Sequence, residues 1–144
     1  MKKQNNLFPF SNAFCFYFIT ILATYFCVVG CGIKTKQITG SIEVSELKEK
    51  LRSTQDFVLL DVRTPEEVSE GTIDQRAVHM DYLADGFSNQ VSTLDRKMPY
   101  YVYCRAGGRS SQAVDKMKEL GFSELYNVEG GITAWQEAGF PFGK

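Results

Sequence analysis

One thiol lies beside two glycines and two arginines in the segment Cys104-Arg105-Ala106-Gly107-Gly108-Arg109-Ser110. Backbone N–H groups in such a loop, directly before a helix, can point inward and hold an anion. The glycines allow the tight backbone that this arrangement needs, and both arginines add positive charge. These features stabilise a thiolate, so we predict a lowered pKa for Cys104. They would also stabilise a persulfide anion on the same sulfur.

The residues around the thiol separate the reactions that it could perform. A cysteine protease needs a general base, usually histidine. The one histidine, His79, falls on a different predicted strand and is expected to be structural. A tyrosine-phosphatase loop has five residues between its cysteine and arginine, whereas Arg109 follows Cys104 after four and Ser110 takes the next position. This shorter loop suits a single sulfur atom better than a phosphoryl group.

The chain around this loop alternates between strand and helix patterns. Short runs of apolar, β-branched or aromatic residues predict strands at 57–60, 77–80, 100–103 and 125–128. Apolar residues at helical spacing predict helices at 46–51, from 64, at 86–94, at 110–121 and at 132–139. The second helix has the clearest start, because Thr64-Pro65-Glu66-Glu67 forms a capping box with proline at the first helical position. Such alternation predicts an α/β fold, a parallel sheet with helices on both faces.

Ligands of parallel sheets bind at the carboxyl ends of the strands, and Cys104 follows the strand at 100–103 at that end. Asp61 and Arg63 follow the strand at 57–60, so we expect them just outside the reactive centre. Asp61 would accept bonds from nearby backbone N–H groups, and Arg63 would pair with an acid. The alternative is a purely structural turn.

An export signal is predicted at residues 1–30. Two lysines precede an almost wholly apolar stretch at 13–30, which is the usual form of a secretory signal. The stretch ends in Val28-Val29-Gly30-Cys31 and resembles the lipobox of bacterial lipoproteins, which implies cleavage before Cys31 and lipidation of that residue. An uncleaved anchor helix is the alternative, since about 18 apolar residues just suffice to span a bilayer. Either reading places the domain in the cell envelope, attached to a bacterial membrane and facing the periplasm or the exterior.

Behind the signal we expect a tether at 31–37 and one domain at 38–144, with the polar stretch 32–40 interpreted as part of the tether. Loss of residues 1–30 changes the net charge from −1 to −3. No basic surplus remains for gripping a phosphate backbone, which argues against nucleic-acid binding.

The four cysteines have no C-x-x-C spacing, and with a single histidine this argues against a metal site. Cys15 and Cys27 would leave with the signal and Cys31 would carry lipid. Cys104 would then be the only free thiol of the mature chain. We expect a monomer without a cofactor.

Three segments together resemble the rhodanese family of sulfurtransferases: Asp61-Val62-Arg63-Thr64-Pro65-Glu66-Glu67, the cysteine loop, and Glu129-Gly130-Gly131-Ile132-Thr133-Ala134-Trp135. Their order and spacing also match, and the resemblance covers about 38–142. It implies a rhodanese-like fold with a central parallel sheet of about five strands. Gly130, Gly131 and Trp135 are expected to serve the turn and the packing.

The resemblance also implies a reaction. Cys104 would take the outer sulfur of a small anionic donor such as thiosulfate and become a persulfide, and a thiol or cyanide would accept that sulfur. Backbone N–H groups from Arg105 to Ser110 would hold the persulfide. The two arginines would guide the donor, and Ser110 would cap the helix or donate to the loop.

Two other functions stay open. A membrane-tethered binding or sulfur-carrier module would use the same fold without turnover, and a phosphatase or arsenate-reductase relative is opposed by the loop length. The chain also departs from the family at 71–77, where Gly71-Thr72-Ile73-Asp74-Gln75-Arg76-Ala77 stands in place of G-H-I-x-G-A. This departure concerns the local turn and not the sulfur chemistry.

Overall fold

The computed structural model describes residues 36–53 and 56–143. The predicted signal at 1–30, the lipidation site Cys31 and most of the predicted tether lie outside the described residues. The described residues belong to one compact unit. No helix within these ranges is both long enough and apolar enough to cross a bilayer.

Strands and helices alternate through the described ranges. They are β1 Ile38–Ile42, α1 Val44–Arg52, β2 Val58–Asp61, α2 Pro65–Ser69, β3 Val78–His79, α3 Phe87–Ser92, β4 Pro99–Tyr103, α4 Gly108–Glu119, β5 Glu124–Val128 and α5 Gly131–Glu137. The five described strands form one sheet in the order β1-β5-β4-β2-β3, with every neighbouring pair parallel. The predicted α/β architecture is confirmed.

Each face of the sheet has its own core, because successive strand residues point to opposite faces. One core joins the strands to α3 and α4 through Leu60, Val102, Val91 and Met117, among others. The other joins the strands to α1 and α5 through Leu59, Tyr101, Leu47 and Trp135, among others. Burial on both faces explains why the central strands read as continuous apolar runs.

The prediction of a tether at 32–40 is wrong for its last residues. Ile38–Ile42 forms β1, which pairs with β5 from Ile38 against Glu124 to Ile42 against Val128. The strand lies at the edge of the sheet and only Ile42 is buried. A polar, solvent-facing edge strand lacks the apolar signal by which the other strands were predicted.

Because all strand pairs are parallel, the carboxyl ends of the strands meet at one edge. This edge gathers Asp61 at the end of β2, His79 at the end of β3 and Cys104 directly after β4. Helices α4 and α5 both begin there, after β4 and β5. The topology thus brings the predicted reactive segment together with two helix N-termini.

Candidate active site

Cys104 lies between β4 and α4, and its side chain is buried, with 2% of the residue exposed. Gly107 is the N-cap of α4 and has a left-handed backbone with φ of +96°. This conformation favours glycine, and it turns the loop back over the sulfur. The backbone N–H of Gly107 donates to Cys104 Sγ at 3.2 Å.

The thiol of Cys104 has a lowered pKa, as predicted from the loop. Burial alone would raise the pKa, but hydrogen bonds from the Ser110 side chain and from the backbone N–H groups of Ser110, Ala106 and Gly107 outweigh it. The hydroxyl of Ser110 lies 3.5 Å from Cys104 Sγ and 3.0 Å from the carbonyl oxygen of Gly107. The main source of thiolate stabilisation is therefore the hydrogen-bond donors of the loop.

Ser110 is fully buried and does not cap the helix. Gly107 occupies the N-cap position, and no side chain accepts a capping hydrogen bond from the first turn of the helix. Of the two predicted roles for Ser110, donation within the loop is the one that the geometry supports. Its single hydroxyl hydrogen is shared between the sulfur and a carbonyl oxygen.

The two loop arginines differ in their surroundings. Arg105 is exposed, and within the described part of the chain its guanidinium makes no ion pair. Arg109 is held by Glu67, with Nη1 2.6 Å from Oε2 and Nη2 2.7 Å from Oε1. The hydrogen bond from Arg109 lowers the pKa of Glu67 to about 2, although burial opposes the shift. Arg109 thus carries a charge that a neighbouring carboxylate cancels.

The sequence assigned Glu67 one structural role, at the third helical position of the α2 capping box, which the structure confirms. Its Oε2 accepts from the backbone N–H of Thr64 at 3.0 Å, and the Glu67 backbone N–H donates to Thr64 Oγ1 at 3.4 Å. The same carboxylate therefore caps one helix and binds a residue in the first turn of another. The local pattern carries no signal for this second contact, because Arg109 is far away along the chain.

The first turn of α5 holds the main chain of Cys104 and Arg105 in place. The N–H of Ile132 donates to the Cys104 carbonyl oxygen at 2.9 Å, and that of Thr133 donates to the Arg105 carbonyl oxygen at 3.0 Å. A Cβ on Gly131 would lie 2.3 Å from the Cys104 carbonyl oxygen. The glycines predicted as turn and packing residues thus set how closely α5 approaches the reactive loop.

Asp61 and Arg63 form a buried pair beside this loop. Arg63 Nη2 lies 2.6 Å from Asp61 Oδ2, and the Arg63 backbone N–H donates to Asp61 Oδ1 at 3.0 Å. Burial alone would lower the pKa of Arg63, but the hydrogen bond and charge of Asp61 outweigh it and raise the pKa. Arg63 also donates to the carbonyl oxygens of Glu67 and Gly71. These bonds organise α2 and the turn behind the loop, which favours the structural alternative.

His79 takes no part in the cysteine chemistry that the geometry shows. Its Nε2 lies 2.7 Å from the carbonyl oxygen of Arg63. This bond ties β3 to the segment that follows β2, in keeping with the expected structural role.

A cavity of about 310 Å³ opens beside Arg105. Its lining includes Glu67, Glu70, Thr133, Gln136 and Phe142. The lining carries both signs of charge and one aromatic face, so it offers room for a small polar molecule next to the loop. Among the described residues, no group of three or more His, Cys, Asp or Glu side chains could hold a metal ion.

Comparison with known proteins places residues 43–138 in the family described as "Rhodanese-like domain". A protein of Allochromatium vinosum named "Sulfurtransferase" is 31% identical over 107 residues, covering 72% of this chain and 94% of that protein. YtwF of Bacillus subtilis is 41% identical over 95 residues, covering 66% of this chain and 88% of that protein. The crystal structure of a rhodanese-related protein from Thermoplasma volcanium matches with a TM-score of 0.61 and 31% identity, over 71% of this chain and 95% of the other.

Proposed function

The chain belongs to the rhodanese-like family, and we propose that it transfers a sulfane sulfur from thiosulfate or a related donor to a thiol or cyanide through a persulfide on Cys104. The single observation that carries this proposal is the buried Cys104 sulfur, ringed by loop donors that lower its pKa. A sulfurtransferase needs a thiolate before it meets its donor. The loop supplies that thiolate without a histidine.

The first half-reaction is a displacement at the outer sulfur of the donor. The Cys104 thiolate attacks that sulfur, a new S–S bond forms, and the S–S bond of thiosulfate breaks. Sulfite leaves with the electron pair, and the negative charge of the thiolate reappears on the terminal sulfur of the persulfide. No proton has to move, which agrees with the absence of a general base beside Cys104 among residues 36–53 and 56–143.

The loop supports the persulfide in the same way that it supports the thiolate. Backbone N–H groups of Ala106, Gly107 and Ser110 point at the sulfur position. Such donors stabilise negative charge in a site from which water is excluded. In the second half-reaction an acceptor thiolate or cyanide attacks the outer sulfur, and the Cys104 thiolate leaves.

The intact mass of the domain after incubation with thiosulfate tests the proposal. We expect a gain of one sulfur atom, its loss on adding cyanide with formation of thiocyanate, and no gain in Cys104→Ala. A Ser111→Ala variant is the control, because Ser111 is exposed on α4, the helix that follows the cysteine loop. Absence of the added sulfur, while Cys104 still reacts with an alkylating probe, would overturn the proposal. A persulfide that forms but passes its sulfur to neither cyanide nor a thiol would favour the sulfur-carrier module.

We also propose that the domain is a monomer held at a bacterial membrane by lipid on Cys31, facing the periplasm or the exterior. The support is the apolar stretch at 13–30 and the small residues before Cys31. Intact mass of the full chain extracted from bacterial membranes tests this. We expect a lipid-modified chain that begins at Cys31 and a Cys31→Ala variant that stays unprocessed. An unmodified chain beginning at Met1 in both cases would instead establish the anchor helix.

A further inference from the structure

The two arginines of the loop present very different charges to a molecule that approaches Cys104. Arg105 is exposed and lines the cavity beside the loop. Arg109 is only 23% exposed at its side chain and is held by both oxygens of Glu67. An arginine–carboxylate pair with two parallel hydrogen bonds fixes the orientation of the guanidinium and places an opposite charge against it.

Glu67 is ionised at neutral pH and places a negative charge against the Arg109 guanidinium. The pKa of Glu67 is about 2, chiefly because of the hydrogen bond from Arg109. The pKa of Arg109 is raised, mostly by that hydrogen bond and to a smaller extent by the charges of Cys104 and Asp81. Arg109 lies in the first turn of α4, directly before Ser110, whose hydroxyl is 3.5 Å from the Cys104 sulfur.

We propose that Glu67 is a specificity-determining residue for the sulfur donor. By holding Arg109, it leaves Arg105 as the loop cation that meets the donor, so the site favours donors with one negative charge over donors with two. Arg63, Glu67 and Glu70 line the same cavity as Arg105. Because Arg63 is paired with the buried Asp61, the two glutamates further oppose a second negative charge. This inference rests on the proposed sulfurtransferase function and concerns its substrate class.

Thiosulfate and methanethiosulfonate are matched probes for this preference. Each carries a transferable outer sulfur on a sulfonyl centre, but thiosulfate is a dianion and methanethiosulfonate is a monoanion. With thiosulfate the Cys104 thiolate gains the outer sulfur and sulfite leaves with the electron pair. With methanethiosulfonate the same bond forms and breaks, and methanesulfinate leaves. The two half-reactions differ by one charge on the donor and on the leaving group.

The substitution Glu67→Gln removes the charge and keeps the shape. Glutamine also serves at the third position of a capping box, and its amide oxygen can still accept from Arg109. We expect kcat/KM for thiosulfate to rise roughly two- to fivefold, as for one partly exposed charge interaction. The rise for methanethiosulfonate should be about half as large on the logarithmic scale, because this donor carries one charge instead of two.

Four variants serve as controls. Glu66→Gln removes a negative charge from the exposed side of the same helix, so its ratio of the two kcat/KM values should stay that of the unaltered protein. Addition of Arg109→Gln to Glu67→Gln should abolish the gain, because the freed cation is then absent. Arg105→Gln should raise KM for both donors, and by more than Arg109→Gln does.

The outcomes distinguish the inference from the function on which it rests. If Glu67→Gln lowers turnover of both donors by the same factor together with the melting temperature, Glu67 is only a structural brace and the inference is wrong. The inference is also wrong if Glu67→Gln leaves the ratio of the two kcat/KM values unchanged. The same holds if Arg109→Gln raises KM more than Arg105→Gln does. If neither donor adds sulfur to Cys104 in the unaltered protein, the proposed function fails, and the inference fails with it.

Discussion

Helices α4 and α5 both begin with a glycine pair at the carboxyl edge of the sheet. Their N-caps, Gly107 and Gly130, have left-handed backbones with φ of +96° and +66°. At α4 the backbone N–H of the N-cap donates to the Cys104 sulfur. At α5 the first N–H groups donate to main-chain carbonyl oxygens of the cysteine loop. Thus the N–H groups at the start of α4 bind the sulfur of Cys104, whereas those at the start of α5 bind carbonyl oxygens of the loop.

The second glycine of each pair shows the same contrast. A Cβ on Gly108 would meet nothing within 4 Å, whereas a Cβ on Gly131 would lie 2.3 Å from the Cys104 carbonyl oxygen. The start of α4 at Gly108 faces open space. The start of α5 at Gly131 packs directly against the main chain of the cysteine loop. A glycine pair before a helix therefore does not identify a binding site until its neighbours are known.

The largest expected effect is that of Gly131→Ala. We expect ~3–4 kcal/mol of lost stability, since a positive φ and overpacking each cost ~1–3 kcal/mol. Persulfide formation on Cys104 should also slow, because the carbonyl oxygen of Cys104 is displaced. Gly108→Ala is the matched control and should stay within ~1 kcal/mol of the unaltered protein. Urea denaturation measures both changes, and equal losses at the two glycines would break the comparison.

Gly107→Ala should separate activity from stability. Its φ of +96° strains any residue with a Cβ, although the nearest atoms would be at ordinary contact distances of 3.5 Å or more. We expect a stability loss of ~1–2 kcal/mol and, because the N–H that faces the sulfur shifts, a loss of sulfur-loading rate of about tenfold or more. Stopped-flow sulfur transfer and urea denaturation measure the two effects. A rate that falls no more than in an equally destabilised core variant, such as Val91→Ala, would contradict this expectation.

Ser110→Ala tests whether side-chain donation adds to the backbone donors of α4. The Ser110 hydroxyl is among the groups that lower the pKa of Cys104, so its removal should raise that pKa. At neutral pH the alkylation rate should fall by about tenfold, the lower end of the effect of one hydrogen bond to a charged group. The pH profile of iodoacetamide reaction measures the shift, with the exposed Ser111→Ala as control. An unchanged profile would leave the backbone N–H groups as the main cause.

The smallest expected effect concerns acid. The pKa of Glu67 is lowered from 4.5 to about 2 in the folded domain. Its contribution to stability is therefore complete above about pH 4.5 and is lost as the pH falls toward 2. The melting temperature of the unaltered protein should approach that of Glu67→Gln across this window. Hydrogen exchange should then increase at the start of α4 before the start of α5, and the reverse order would contradict the division between the two helices.

Much of this fold could be predicted from local sequence. The capping box at Thr64, the buried strand before Asp61 and the cysteine loop each depend on neighbours within a few residues. Such patterns report backbone preferences that the surrounding fold does not overrule. The parallel sheet followed from their alternation.

The remaining features depend on contacts that no local pattern contains. Strand β1 has no continuous apolar run and buries only Ile42, so its pairing with β5 is what identifies it as a strand. The pair of Glu67 with Arg109 joins residues that are distant along the chain. Likewise, sequence reasoning gave both loop arginines the same role, whereas the fold pairs one and leaves the other exposed.

The segment at 71–77, where the chain departs from the family pattern, forms an ordered turn. Gly71 has a φ of +131°, and its carbonyl oxygen accepts from Arg63 Nη2 at 2.7 Å. Within the turn, Arg76 binds Asp74 with Nε 2.9 Å from Oδ1. An ion pair thus organises this turn without the histidine and second glycine that the family pattern places there.

The strand order has a consequence for folding during synthesis of the chain. Strand β1, the first to be made among the described strands, pairs only with β5, the last. Likewise, the carbonyl oxygens of Cys104 and Arg105 have no hydrogen bonds from α5 until residues 132 and 133 have been made. The sheet and the sulfur site are therefore completed almost together, once residues 124–133 are available. A nascent chain stalled before residue 124 would expose an unpaired strand and an unsupported thiol to the cell's quality control.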